Sequence, residues 1–174
     1  LKDGFTKPTK LKQRWGTYMR NSKDPYDTYS YIQHFSKNQK LEVLFFFLLG
    51  DYAQYDKNIR FDHPKMISLI KQLGNTSIIG IHPSYASNKN SKMIGIEKQR
   101  LEHILGKSVH HNRFHFLKFS LPKSYQQLLA YGISNDYSMG YADQIGFRAG
   151  TCTPFNFYDL ENEVKTDLKV HPFA

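Results

Sequence analysis

Short apolar runs and longer amphipathic stretches follow one another along this chain, and most are closed by a glycine or a proline. Residues 41–49 are apolar on both faces, the pattern of a central parallel strand covered by helices. Over 64–73, Met66, Ile67, Leu69, Ile70 and Leu73 fall on one helical stripe, and Gly74 supplies a stop. A strand over 77–81 follows, then a loop rich in Ser, Asn and Lys over 84–91, then a helix to Leu105 that Gly106 ends. Residues 110–117 read as a third strand and 122–131 as a helix ended by Gly132. Upstream, Asp24-Pro25 has the form of an N-cap followed by proline at the first helical position. It predicts a helix over 25–37 with Tyr29, Ile32 and Phe35 inward. Beyond Ile133 the pattern loosens into short strands around 136–137, 148–150 and 155–158, with a last one over 167–171. Strand–helix alternation of this kind predicts an α/β fold with parallel strands and right-handed crossovers.

Length adds a limit: 174 residues suit one domain with a sizeable core. The expected division is a basic leading segment over 1–23 and a folded domain over 24–174. The longest apolar run, Val43 to Leu49, is too short to span a membrane. The net charge of +9 invites a nucleic-acid reading, but its distribution weighs against one. Residues 1–40 hold nine Lys/Arg against three Asp/Glu, so most of the excess sits on the leading segment. No motif of a known nucleic-acid reader is present, and none is expected as a partner. The single cysteine, Cys152, excludes an internal disulfide.

Candidate chemistry lies where predicted strands end. The first strand runs into Gly50-Asp51, the second into His82-Pro83-Ser84 and the last into His171-Pro172. In the third, period-two alternation puts His111, Arg113 and His115 on one face. Strand C-termini of a β/α barrel share one rim, so His82, His115 and His171 are expected to converge there. Imidazoles in such places suit a divalent metal or acid–base work near neutral pH. Arg113 needs a carboxylate partner if buried, with Asp136 or Asp51 the candidates. Tyr52, Tyr85, Tyr137 and Tyr141 each follow a polar strand-end group and offer faces for sugars. His34, His63, His103 and His110 read as surface or packing residues.

Five segments, taken together, resemble a known family. They are Phe47-Leu48-Leu49-Gly50-Asp51-Tyr52, Gly80-Ile81-His82-Pro83-Ser84-Tyr85, Arg113-Phe114-His115-Phe116-Leu117-Lys118, Asp136-Tyr137-Ser138-Met139-Gly140-Tyr141 and Leu168-Lys169-Val170-His171-Pro172. Their order and spacing over 24–174, with the stretch 154–161, are similar to a bacterial branch of the polysaccharide deacetylases. These NodB-homology esterases remove acetyl groups from amino sugars. The resemblance implies an irregular (β/α) barrel holding one divalent metal, usually zinc, between an Asp and two His. His82 matches the first histidine ligand, whereas Ala86 stands where the second would be, and His115 is positioned to replace it. Arg113 matches the arginine that orients the base, Asp136 lies near the fourth motif, and His171 matches the general acid. Tyr85, Tyr137 and Tyr141 are the expected substrate contacts.

The family's first motif, a strand ending in paired aspartates, has no counterpart before Leu41. The barrel's first strand is accordingly expected upstream of Leu1, and the domain is expected to be truncated at both ends. The implied activity is metal-dependent hydrolysis of an N-acyl group on a polysaccharide or amino sugar, in the bacterial cytoplasm or envelope. This chain alone is expected to bind zinc weakly or not at all. Two alternatives stand beside it: an inactive glycan-binding module, and a glycoside hydrolase using Asp51 and Asp136 as its carboxylates.

Overall fold

Short strands build the parallel part of the sheet, four residues in each of the first two and two polar residues in each of the next two. The computed structural model describes residues 15–19 and 24–174, in two compact units, Leu1–Val43 and Leu44–Ala174. The basic stretch before Trp15 lies outside the described residues.

In the first unit, α1 (Tyr29–Gln39) starts later than the Asp24-Pro25 signal predicts. The Asp24 carboxylate accepts from Tyr26 N–H at 2.9 Å and closes a turn instead of capping a helix. No α1 side chain is fully buried, and Phe35 is half exposed, so the expected inward stripe is not formed. Lys40, in the left-handed region at φ 54°, ends the helix.

The second unit runs β1 (Leu44–Phe47), α2 (Pro64–Gly74), β2 (Ile78–Ile81), α3 (Lys92–Leu105), β3 (His111–Asn112), α4 (Lys123–Ala130), β4 (Asn135–Asp136), β5 (Phe155–Asp159) and β6 (Val164–Val170). Its six-stranded sheet has the order β1-β2-β3-β4-β6-β5. All pairs are parallel except β5–β6. Strands consecutive in sequence from β1 to β4 are neighbours in the sheet, so the winding never reverses there. The architecture is a mixed α/β fold on a mostly parallel sheet.

Register explains which side chains face which way. Phe47, Ile81, Asn112, Asp136 and Val170 are aligned across the ladders, and all five are buried. Helix α4 brings Tyr125 to that face, where its hydroxyl donates to Asp136 at 2.9 Å. One residue earlier, Phe46, Gly80, His111, Asn135 and Lys169 line the opposite face.

Two predicted strands change. The third is only two residues long. After Arg113 N–H bonds Ile81 O at 3.0 Å, the chain leaves the ladder for a 3-10 turn over His115–Leu117. Phe116 (φ 56°) and Leu117 (φ 50°) are left-handed there, which no strand allows. Residues 148–150 form a turn rather than a strand, between Gly146 at φ 120° and Gly150 at φ 68°.

Gly80 sets the closeness of β1, β2 and β3. A Cβ there would sit 2.6 Å from the Phe46 ring and 2.8 Å from the His111 carbonyl oxygen. Gly80→Ala is expected to cost about 1–3 kcal/mol, read as a lower urea midpoint with an unchanged slope. An unshifted midpoint would mean the sheet is looser than this register requires.

Candidate functional site

His82 is the residue after Ile81, where β2 ends, and its backbone N–H still bonds Phe47 O at 2.9 Å. The loop behind it is held from α3. Glu97, buried, takes Ser84 N–H at 2.9 Å and Ser84 Oγ–H at 2.5 Å. Burial raises the Glu97 carboxyl pKa, and the two Ser84 donors oppose that rise. The Glu97–Ser84 clamp leaves His82 little freedom of backbone.

The two imidazoles singled out as metal ligands meet. His82 Nε2 and His115 Nδ1 face each other at 2.9 Å, with the rings at 80°. Their outer nitrogens are fixed by carbonyl groups: His82 Nδ1 lies 2.5 Å from Arg113 O, and His115 Nε2 lies 3.1 Å from Tyr55 O. A carbonyl only accepts, so each outer nitrogen must carry a proton and donate. In two neutral rings the inner nitrogens would then both present lone pairs, which repel at this distance. A positive charge between or upon them removes the conflict, either a third proton or a metal ion.

Burial, followed by the field of His115, lowers His82 to about 4. A proton between the rings makes the contact of His115 Nδ1 with His82 Nε2 a hydrogen bond. Asp56, buried, lies 3.9 Å from His115 Nε2 and accepts Tyr85 N–H at 2.7 Å. It supplies the counter-charge.

His171 stands on the same rim, three strands further along. Arg113, Tyr137 and His171 each donate a backbone N–H to the preceding strand, at 3.0, 2.8 and 2.8 Å, as His82 does. Adjacent strands lie about 4.8 Å apart, so His171 is roughly 14 Å from His82 along the sheet. It forms a second cluster: the ring stacks on Tyr137 at 4.3 Å and 7°, and Nε2–H donates to Asn135 Oδ1 at 2.9 Å. Phe46 and His111 flank Tyr137 at 5.5 and 5.9 Å. Burial, then Lys169 and His111, lowers the His171 pKa.

The other expected residues are distributed differently. Asp136 faces away from this rim. Its carboxylate, fully buried, accepts from Asn112 Nδ2, Tyr125 OH, Ser138 N and Ser138 Oγ. Burial raises its pKa against those donors. The role this placement gives it is to fix the β4 loop and the Phe114 backbone, through Ser138 Oγ at 2.8 Å. Arg113 has no carboxylate in ion-pairing range among the described residues; its guanidinium lies 4.1 Å over the Phe173 ring. Asp136 reaches it only through the longer-range field. Asp51 pairs with Arg100 at 3.1 Å, so it and Asp136 belong to separate networks. Tyr85 lies beside the histidine pair, and Tyr141 is partly exposed on its loop.

Tyr55, Asp56, Phe116 and Lys118 were not anticipated from sequence. Tyr55 and Asp56 lie in an aperiodic loop after β1, and only the run of Tyr and Asp over 51–56 hints at them.

Two imidazole nitrogens with outer N–H groups tied to carbonyls are the donor arrangement of metal-bound histidines. At 2.9 Å the inner nitrogens are closer than the about 3.3 Å between neighbouring nitrogen ligands of a tetrahedral zinc, so the rings would have to part slightly to share one. A catalytic zinc takes three protein ligands, and no group of three His, Cys, Asp or Glu suited to a metal occurs among the described residues. Compared with protein-family models, curated proteins and solved structures, the chain matches none.

The His82 shift makes stability depend on pH. Unfolded, its imidazole titrates near ~6.5; folded, it does so at about 4. Between these values the unfolded chain binds more protons, so stability falls as pH drops from about 6.5 to 4. The loss is at most about 3 kcal/mol, measured by denaturation at pH 7 and 4.5. His82→Gln should flatten that dependence; an equal slope in both proteins would contradict the assignment.

Proposed function

We propose that this chain is a deacetylase-type domain that assists hydrolysis of an N-acyl group on an amino sugar of a bacterial polysaccharide. Its scaffold, on this reading, is an irregular (β/α) barrel, a form that the unreversed parallel order from β1 to β4 supports. The observation that carries the reading is the His82–His115 contact, two inner imidazole nitrogens 2.9 Å apart whose outer N–H groups are both tied to carbonyls.

A divalent metal bound there would polarise the acyl carbonyl and make bound water more acidic. The chain's own residues do the rest. The carbonyls of Arg113 and Tyr55 keep the inner nitrogens of His82 and His115 free to coordinate. Asp56 offsets positive charge beside them. His171, with Nε2–H committed to Asn135, stands roughly 14 Å along the sheet from this pair, too far to protonate an amine leaving there, and marks a separate polar position on the same rim. Tyr137 fixes the plane of that ring by stacking.

A binding module without hydrolysis is the second reading, favoured because a shared proton alone satisfies the histidine pair. Zinc titration separates the two. With two nitrogen ligands and no third, the chain should take up at most one zinc, and weakly. It should release about one proton, because the metal displaces the one between the rings. His82→Ala and His115→Ala should each abolish the uptake. Zinc binding that survives both substitutions would contradict the hydrolase reading, as would acetate release from N-acetylated oligosaccharides that is indifferent to them.

A further inference from the structure

Beside the histidine pair lies an aromatic surface that the mechanism above does not use. Tyr55 and Tyr85 are 4.5 Å apart between ring centroids, and Phe116 stands edge-on to both at 6.4 and 5.9 Å. Tyr55 is 49% exposed and Phe116 59%. Single exposed rings are ordinary; three in contact around a polar pair mark a recognition surface.

Phe116 is also held there at a cost. It and Leu117 are left-handed at φ 56° and 50°, and each such residue costs about 1–3 kcal/mol. Leu117 N–H to Phe114 O, Lys118 N–H to His115 O and Arg148 Nη1–H to Leu117 O enforce the turn, at 3.0, 3.2 and 3.1 Å. The turn buries none of its own residues, so the strain does not improve the core. What it does is hold the Phe116 ring out in solvent next to Tyr55 and Tyr85.

Lys118 gives the surface its charge. Its ammonium donates to Tyr85 OH at 2.7 Å and lies 4.5 Å from the centre of that ring. No carboxylate pairs with it among the described residues. The neighbouring carboxylate, Asp56, is buried and already accepts from Tyr85 N–H. Two ammonium N–H groups therefore remain for a ligand.

We infer that Tyr55, Tyr85, Phe116 and Lys118 form a subsite for a carboxylate-bearing pyranose, an acidic sugar next to the residue handled at the histidine pair. The ring's C–H face lies on the aromatic side chains and its carboxylate takes Lys118. This deepens the carbohydrate reading above and rests on it for the adjacent residue.

The test is calorimetric titration of the metal-free chain, at low salt, with tri-galacturonate and with tri-N-acetylchitotriose. Tri-galacturonate should bind more tightly. Lys118→Gln should weaken it about tenfold and leave tri-N-acetylchitotriose unchanged. Phe116→Asn keeps a residue that tolerates the left-handed turn and should weaken both. Equal binding of the two sugars, indifference to Lys118→Gln, or no binding of either at millimolar concentration would overturn the subsite. If acidic-sugar binding is lost while zinc-dependent deacylation persists, the subsite alone is wrong. If binding persists with no acetate release from any substrate, the subsite stands and the hydrolase reading alone is wrong.

Discussion

The hydrogen bond from His82 Nδ1 to the Arg113 carbonyl ties the ends of β2 and β3 together, and the candidate site follows from it. It decides the tautomer of His82 and so turns Nε2 toward His115. The Tyr55 carbonyl does the same for His115 from the other side, using a loop that leaves β1. Three strand-end loops thus converge on two rings, and the charge between the rings is a consequence of backbone positions. Removing either carbonyl contact would let a ring rotate, and a neutral pair could then relax without a cation.

Parallel winding makes this convergence possible. Each strand from β1 to β4 delivers its outgoing loop at the same edge of the sheet, one spacing from the last. Short strands suffice because the loops are pinned individually: Ser84 by Glu97, Phe114 by Ser138, and Leu49 by Arg100 at 2.8 Å. Several of these pins are buried polar groups. Asp136 and Glu97 are costly to bury, and their donors offset that cost where it secures the loops.

Much of this was legible in the sequence, for reasons that are local. The stripe of Ile67, Ile70 and Leu73 and the stops at Gly106 and Gly132 marked helices, because periodicity and left-handed termini are properties of neighbouring residues. His82 was legible as a strand-end residue, and His115 through the alternation of the third strand, which puts it on the face of His111 and Arg113. The third strand was overextended because His111 to Phe116 alternates as a strand would, while the left-handed turn at Phe116 comes from long-range contacts. The facing of Asp136 was missed for a related reason: register alone decides it, and a one-residue change reverses every side chain. Tyr55, Asp56 and Lys118 left no periodic trace, since loop residues are brought to a site by the fold around them.

The central claim is that the outer nitrogens of His82 and His115 are protonated and the inner ones share a single cation. Nitrogen-15 NMR of the imidazole rings near pH 7 tests it directly. The account predicts N–H signals at His82 Nδ1 and His115 Nε2, one shared proton between His82 Nε2 and His115 Nδ1, and loss of that proton alone when zinc is added. An unprotonated His82 Nδ1, or two neutral rings with no proton between them, would contradict it.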